Sequence, residues 1–258
     1  MLFMGQDTSL IRPDGEIRYQ SYGAGYPVLL LAPGGLRSRA EMWHALDGGI
    51  TRLWVDWTQA LPDAGFTAIA MDQRNAGSSR TAIAVNHGWH TYAADHLALM
   101  DHLGFDQFHV LGGCIGASFC LKLIELAPKR VSAAVLQNPI GRHPEHPNFF
   151  PDTHVEWGRE LRAGRPELTE SAIAGFGQNL WVGDFVFSVD RAVARTCPVP
   201  TFLMSGNDIP HPSLIGEELA NLLPGVEVLS DWRGPEYLKQ QETRVVQFLE
   251  RNTPRARG

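Results

Sequence analysis

The stretch that decides the fold is FHVLGGCIGASFCLKLIEL, residues 108–126. Residues 108–111 are apolar but for His109, as expected of a strand buried on both faces. Residues 115–126 carry a helical pattern. Between them lies Gly112-Gly113-Cys114-Ile115-Gly116. A strand that turns at once into a helix leaves little room two residues either side of the turn. Glycine at positions 112 and 116 meets that demand. The turn residue is Cys114, and its thiol is placed over a helix N-terminus. There the dipole and the free N–H groups favour the thiolate and lower its pKa. Strand, glycine-flanked cysteine and helix together make Cys114 a candidate nucleophile.

Outward from this stretch the chain alternates. Apolar β-type runs at 16–22, 27–32, 66–71, 131–136, 200–204 and 226–229 are separated by helical patterns near 92–103, 213–223 and 236–250. This alternation predicts an α/β protein with a mostly parallel, doubly wound sheet. The alternation stops from residue 139 to about 196. That segment is rich in Pro, Gly, His and aromatics, among them Phe149, Phe150, Trp157 and Trp181, with helical stretches near 153–163 and 169–180. We expect a helical cap at 139–196, inserted between core portions at 1–138 and 197–258. Long insertions in compact domains are usually functional.

The chain has 258 residues, 44% of them hydrophobic and 19% charged, with a formal net charge of −6. This is an ordinary composition for one large globular domain. The acidic balance gives no reason to expect nucleic acid or a membrane surface as partner. No apolar run is long enough to span a bilayer. The start, residues 1–5, lacks the basic and long apolar regions of a leader. Three cysteines, Cys114, Cys120 and Cys197, are poor material for a disulfide framework and suit a reducing cytoplasm. No Cys/His spacing reads as a metal site. No cofactor is expected. The expected partner is a small-molecule substrate, with a homodimer left open.

On these motifs the chain resembles the α/β-hydrolase superfamily over nearly its whole length. Asp72-Gln73-Arg74-Asn75-Ala76-Gly77-Ser78 looks like that superfamily's D-x-R-G-x-G-x-S turn, with Asn75 in place of a glycine. Asn is the next most tolerant residue of positive φ. Asp72 and Arg74 are structural in that setting. The resemblance implies that Ala32-Pro33-Gly34-Gly35-Leu36 carries one oxyanion donor, the Gly35 N–H, and that the Ile115 N–H is the other. It implies that Asp208, in Ser205-Gly206-Asn207-Asp208 after a buried strand, is the acid of the catalytic triad.

The resemblance fails at the base. The family's histidine follows the last strand, where this chain reads Leu229-Ser230-Asp231-Trp232-Arg233-Gly234-Pro235. No histidine occurs after His211. A cysteine suffers less from this than a serine, since thiolate can form without a base. Hydrolysis of an acyl-enzyme still needs a proton acceptor. His211, three residues beyond Asp208, is the first substitute, with His90 and His143 behind it. We expect Asp208 near Cys114 directly or through one water. Gly34, His90, His143, Trp181, Trp232 and Arg233 are expected around the pocket.

The function these features point to is cofactor-independent attack by Cys114 on an ester, thioester or lactone carbonyl of a small organic substrate. Dienelactone hydrolases and polyhydroxyalkanoate synthases also place Cys in such a turn, but this chain resembles neither throughout. Two alternatives stay open: a lyase, cyclase or acyl transfer on the same fold, and a binding protein without turnover.

Overall fold

The apolar runs assemble around a central sheet. In a computed structural model that describes residues 6–44 and 54–255, the elements run in chain order. They are β1 Gln6–Arg12, β2 Gly15–Gly23, β3 Tyr26–Leu31, α1 Trp57–Asp63, β4 Phe66–Met71, β5 Arg80–Thr81 and α2 Trp89–His102. There follow β6 Phe108–Gly113, α3 Ile115–Leu126, β7 Val131–Gln137, α4 Phe149–Gly164, α5 Glu170–Trp181, α6 Arg191–Arg195, β8 Thr201–Met204, α7 Ser213–Leu222, β9 Glu227–Val228 and α8 Leu238–Asn252. The start at residues 1–5, read above for a leader, lies outside the described residues. Among those described, no helix is long and apolar enough to cross a membrane.

The strand order is β1-β2-β4-β3-β6-β7-β8-β9, with β5 beside β2. Every pairing from β4 across to β9 is parallel; β2 pairs antiparallel with β1, β4 and β5. The sheet is thus an α/β sheet, mostly parallel across its centre. β1 and β5 escape the apolar-run criterion because Gln6–Arg12 is polar and β5 has only two residues.

Strand alternation sends successive side chains to opposite faces. On β3, Leu29 and Leu31 join the core formed with α2, α3 and residues of 139–199. Val28 and Leu30 join the opposite core with α1 and α8. Both faces of the central strands are buried, which explains why β3, β4 and β6 are apolar along most of their length.

The chain leaves β3 for β4 on one side and later enters β6 on the other. The loops after β3 and β6 therefore part, leaving a crevice at the carboxyl end of the sheet. Cys114 stands there. The close approach inferred from its glycines is present. A Cβ on Gly116 would fall 1.9 Å from the Leu31 carbonyl oxygen, and one on Gly112 would fall 2.1 Å from that of Gly116.

Between β7 and β8 the chain leaves the sheet and builds α4, α5 and α6. Helices α4 and α5 pack closely because Gly158 leaves no room for a side chain against Ile173, and Gly177 none against the His154 ring. Arg142 pins this layer by donating from Nε to Gly183 O at 2.8 Å and from Nη2 to Trp181 O at 2.5 Å.

Candidate active site

Cys114 adopts φ 56° and ψ −118°, in a region that costs a non-glycine residue about 1–3 kcal/mol. The turn is fixed by Cys114 N donating to Gln137 O at 2.9 Å and by Ala117 N donating to Cys114 O at 3.1 Å. The residue is half-buried. Its thiol meets the backbone N–H groups of Gly34 and Ile115. From the β3 loop it is the Gly34 N–H that meets the sulfur, one residue before Gly35, the donor expected for the oxyanion. The loop turns at Gly34, with φ 116°, and Gly35 instead opens a short 3-10 turn, Gly35–Arg37. Both glycines line the cavity.

The loop after β8 folds back on itself. Asp208 N donates to His211 O at 3.2 Å, and His211 N donates to Asp208 O at 3.0 Å. This turn brings His211 Nδ1 to 2.5 Å from Asp208 Oδ1. The other ring nitrogen, Nε2, is buried and forms no hydrogen bond among the described residues. The ring lines the same cavity as Cys114 and is coupled electrostatically to its thiol. Burial alone would push that thiol up, yet interaction with His211, then the N–H groups of Gly34 and Ile115, bring it below its ordinary value. Burial would likewise push His211 down, but the thiolate and then Asp208 raise it. The two shifts run in opposite directions because each group favours the charged form of the other.

Asp208 meets the His211 ring, which in turn is coupled to Cys114. Its outer oxygen, Oδ2, accepts from Arg233 Nη2 at 2.6 Å. Burial opposes ionisation of Asp208, but Arg233 and His211 together hold its carboxyl below the usual value. Arg233 thus grips the acid from behind and does not line the Cys114 cavity. Trp232 does not line it either. Its ring is buried with Phe248 and Val245 on the other face of the sheet, and Nε1 donates to Ser205 O at 2.7 Å. The loop after β9, where the family carries its histidine, here supplies a buttress.

The remaining residues expected at the pocket divide. Trp181 lines the cavity. His90 is exposed on α2, whose Trp89 and Tyr92 take the inward face. His143 accepts from Glu145 N at 3.1 Å and packs on His146, away from the cavity. The cavity itself measures about 230 Å³ and is walled by Phe149, Phe150, Thr153, Trp157 and Trp181 opposite Cys114 and His211. Phe150 stacks on Trp181 at 4.9 Å. Phe150, Thr153 and Trp157 repeat at helical spacing along α4, a signal visible in the sequence once the helix is begun at Phe149 rather than near 153.

Away from this cavity the 72–78 turn is structural. Asp72 accepts from Ala40 N and Ser78 N, Asn75 has φ 59°, and buried Arg74 forks onto buried Asp95 at 2.8 and 3.0 Å.

The sequence profile of the α/β-hydrolase fold matches residues 27–179, more than half of the chain. The chain belongs to the α/β-hydrolase fold family. A Mycobacterium tuberculosis protein named as a non-heme bromoperoxidase, BpoC, is 29% identical over 141 residues, 55% of this chain and 48% of its own length. A Variovorax paradoxus protein named as a carbamate hydrolase, RutD, is 32% identical over 91 residues, 35% of this chain and 34% of its own. The chain thus matches about half or less of the length of these curated relatives. Among solved structures, an enol-lactonase from Burkholderia xenovorans aligns with TM-score 0.66 at 19% identity, covering 94% of this chain and 100% of its own. A meta-cleavage product hydrolase from Pseudomonas fluorescens aligns with TM-score 0.67 at 17% identity, covering 95% and 98%. At such identities the likeness concerns the fold.

The cysteines differ in their settings. Cys120 and Cys197 are buried, and burial pushes both thiols up. Native protein treated with iodoacetamide should be labelled at Cys114 at least about tenfold faster than at the other two. A lowered pKa means the thiolate persists as pH falls below the free-thiol value of about 8.5 and disappears only below the shifted one. The labelling rate of Cys114 against pH should show its midpoint there, and His211→Ala should move that midpoint up. Faster labelling of Cys197, followed by peptide mass spectrometry, would contradict this.

Proposed function

We propose that this α/β-hydrolase-fold protein is an acyl-transferring enzyme in which Cys114 attacks the carbonyl of a small ester, thioester or lactone. The observation that carries the reading is His211, held at 2.5 Å by Asp208 and lining the same cavity as Cys114. A nucleophile, a base and an orienting acid are the parts that covalent catalysis needs.

In this reading the thiolate adds to the carbonyl carbon, and the carbonyl oxygen takes the negative charge. The N–H groups of Gly34 and Ile115, which already face the sulfur, stabilise that oxygen. The intermediate collapses, the bond to the leaving group breaks, and the leaving group takes the proton from the His211 imidazolium. The product is an acyl-Cys114 thioester. Neutral His211 then takes a proton from water as it attacks the acyl carbon. Collapse releases the acid and restores the thiolate, with the proton on His211. Asp208 orients the imidazole through Nδ1 and favours its protonated form. The aromatic wall suits a compact, partly apolar acyl group in about 230 Å³.

Incubation with acetyl and benzoyl thioesters, followed by rapid acid quench and mass spectrometry, tests the reading. An acyl mass on the peptide containing Cys114 is the expected result. Turnover with no adduct on Cys114 at any time would refute the covalent route.

A further inference from the structure

A second cavity, of about 340 Å³, adjoins the mouth of the Cys114 cavity and shares Arg37 and Trp157 with it. Its character is different. Four arginines, Arg37, Arg39, Arg80 and Arg165, face it, against one carboxylate in its lining, Glu160. The chain as a whole carries a net charge of −6, so this concentration runs against the bulk composition. All four are arginines, whose planar forks suit phosphate and carboxylate oxygens.

The fixed charges leave room for a ligand. Arg37 meets Glu160 at 2.5 Å, Arg39 meets Glu41 at 3.3 Å and Arg165 meets Glu167 at 2.7 Å, and all three acids are exposed. Exposed pairs of this kind exchange easily for another anion. Arg80 donates to the carbonyls of Gly77 and Ser79 and has no carboxylate partner among the described residues. Arg165 is set in place by donating to Asn75 Oδ1 at 2.6 Å and to Thr81 O at 3.1 Å. Part of the cost of ordering a binding site is therefore already met.

We propose that this cavity is a subsite for an anionic group, phosphate or carboxylate, carried by the substrate at the end remote from the carbonyl that Cys114 attacks. The inference rests on the function proposed above for Cys114. It deepens that function by naming the substrate class: small acyl esters or thioesters whose far end is an anion, with the apolar acyl part in the aromatic cavity and the anion among the arginines.

Two measurements test it. The first compares acetyl thioesters of N-acetylcysteamine, which is neutral, of 4′-phosphopantetheine and of 3-mercaptopropionate. The expected result is a higher kcat/KM for one of the anionic thioesters, and which of the two is preferred identifies phosphate or carboxylate as the ligand. Arg80→Gln and Arg39→Gln should each lower the anionic-to-neutral kcat/KM ratio about tenfold, through KM, as expected for loss of one charge-assisted contact. The second measures binding of inorganic pyrophosphate to Cys114→Ala by calorimetry at low salt, which requires no chemistry at Cys114. Binding that Arg80→Gln weakens supports the subsite even if no thioester turns over, and in that case only the catalytic reading falls. Turnover of the neutral thioester with no preference for either anion, together with no pyrophosphate binding, would overturn the subsite and leave the catalytic reading standing.

Discussion

Cys114→Ala should lower steady-state turnover of a responsive thioester by about 10³-fold or more and remove any burst, while the melting temperature stays near that of the parent. The size follows from what is removed. The oxyanion donors and the cavity remain, but no covalent intermediate can form, and members of such a unit fail together. The stability expectation follows from the site. Cys114 is partly exposed and holds a left-handed backbone fixed by its neighbours' glycines and by the bond to Gln137 O. Alanine keeps that backbone and loses little packing. Stopped-flow kinetics and calorimetry check both parts. A variant that keeps more than a tenth of parental activity would remove Cys114 from the mechanism.

His211→Ala should produce the second largest loss, about 10²–10⁴-fold in kcat, the range of general acid–base catalysis. Its signature is uneven. Acylation depends on thiolate, which alkaline pH supplies without a histidine, so a burst should reappear above the free-thiol value. Deacylation depends on a base for water and should stay slow at every pH. Asp208→Asn should be milder, because the imidazole remains and loses only its orienting partner and the charge that favours its protonated form. Burst and steady-state phases followed from pH 6 to 10 separate these outcomes. Equal loss in both phases at all pH values would mean that His211 only supports the fold.

Much of the fold was legible because its signals are local. An apolar run such as 66–71 needs only its own six residues to declare a strand buried on both faces, and β4 occupies those residues. The spacing of Gly112 and Gly116 around Cys114 is a steric requirement written over five residues, and the contacts at 1.9 and 2.1 Å are that requirement. The polar β1, the two-residue β5 and the short helix α6 were not legible. Their stability comes from neighbours rather than from their own composition.

The site divides in the same way. Reading along the chain is enough to place a cysteine where strand meets helix, an acid after a later strand and no histidine in the final loop. Each is a statement about short segments and their order. What fills the gap depends on how those segments meet in space. A histidine three residues from an aspartate can cap a helix, face solvent or meet a thiol. The choice depends on the paired backbone of Asp208 and His211, on Arg233 arriving from 25 residues away to hold Asp208, and on Trp232 turning to the opposite core. The tertiary structure likewise decided that His90 and His143 stay outside, and that Gly34 rather than Gly35 offers its N–H. Direction in space is set by packing across the sheet, and no run of neighbouring residues contains that information.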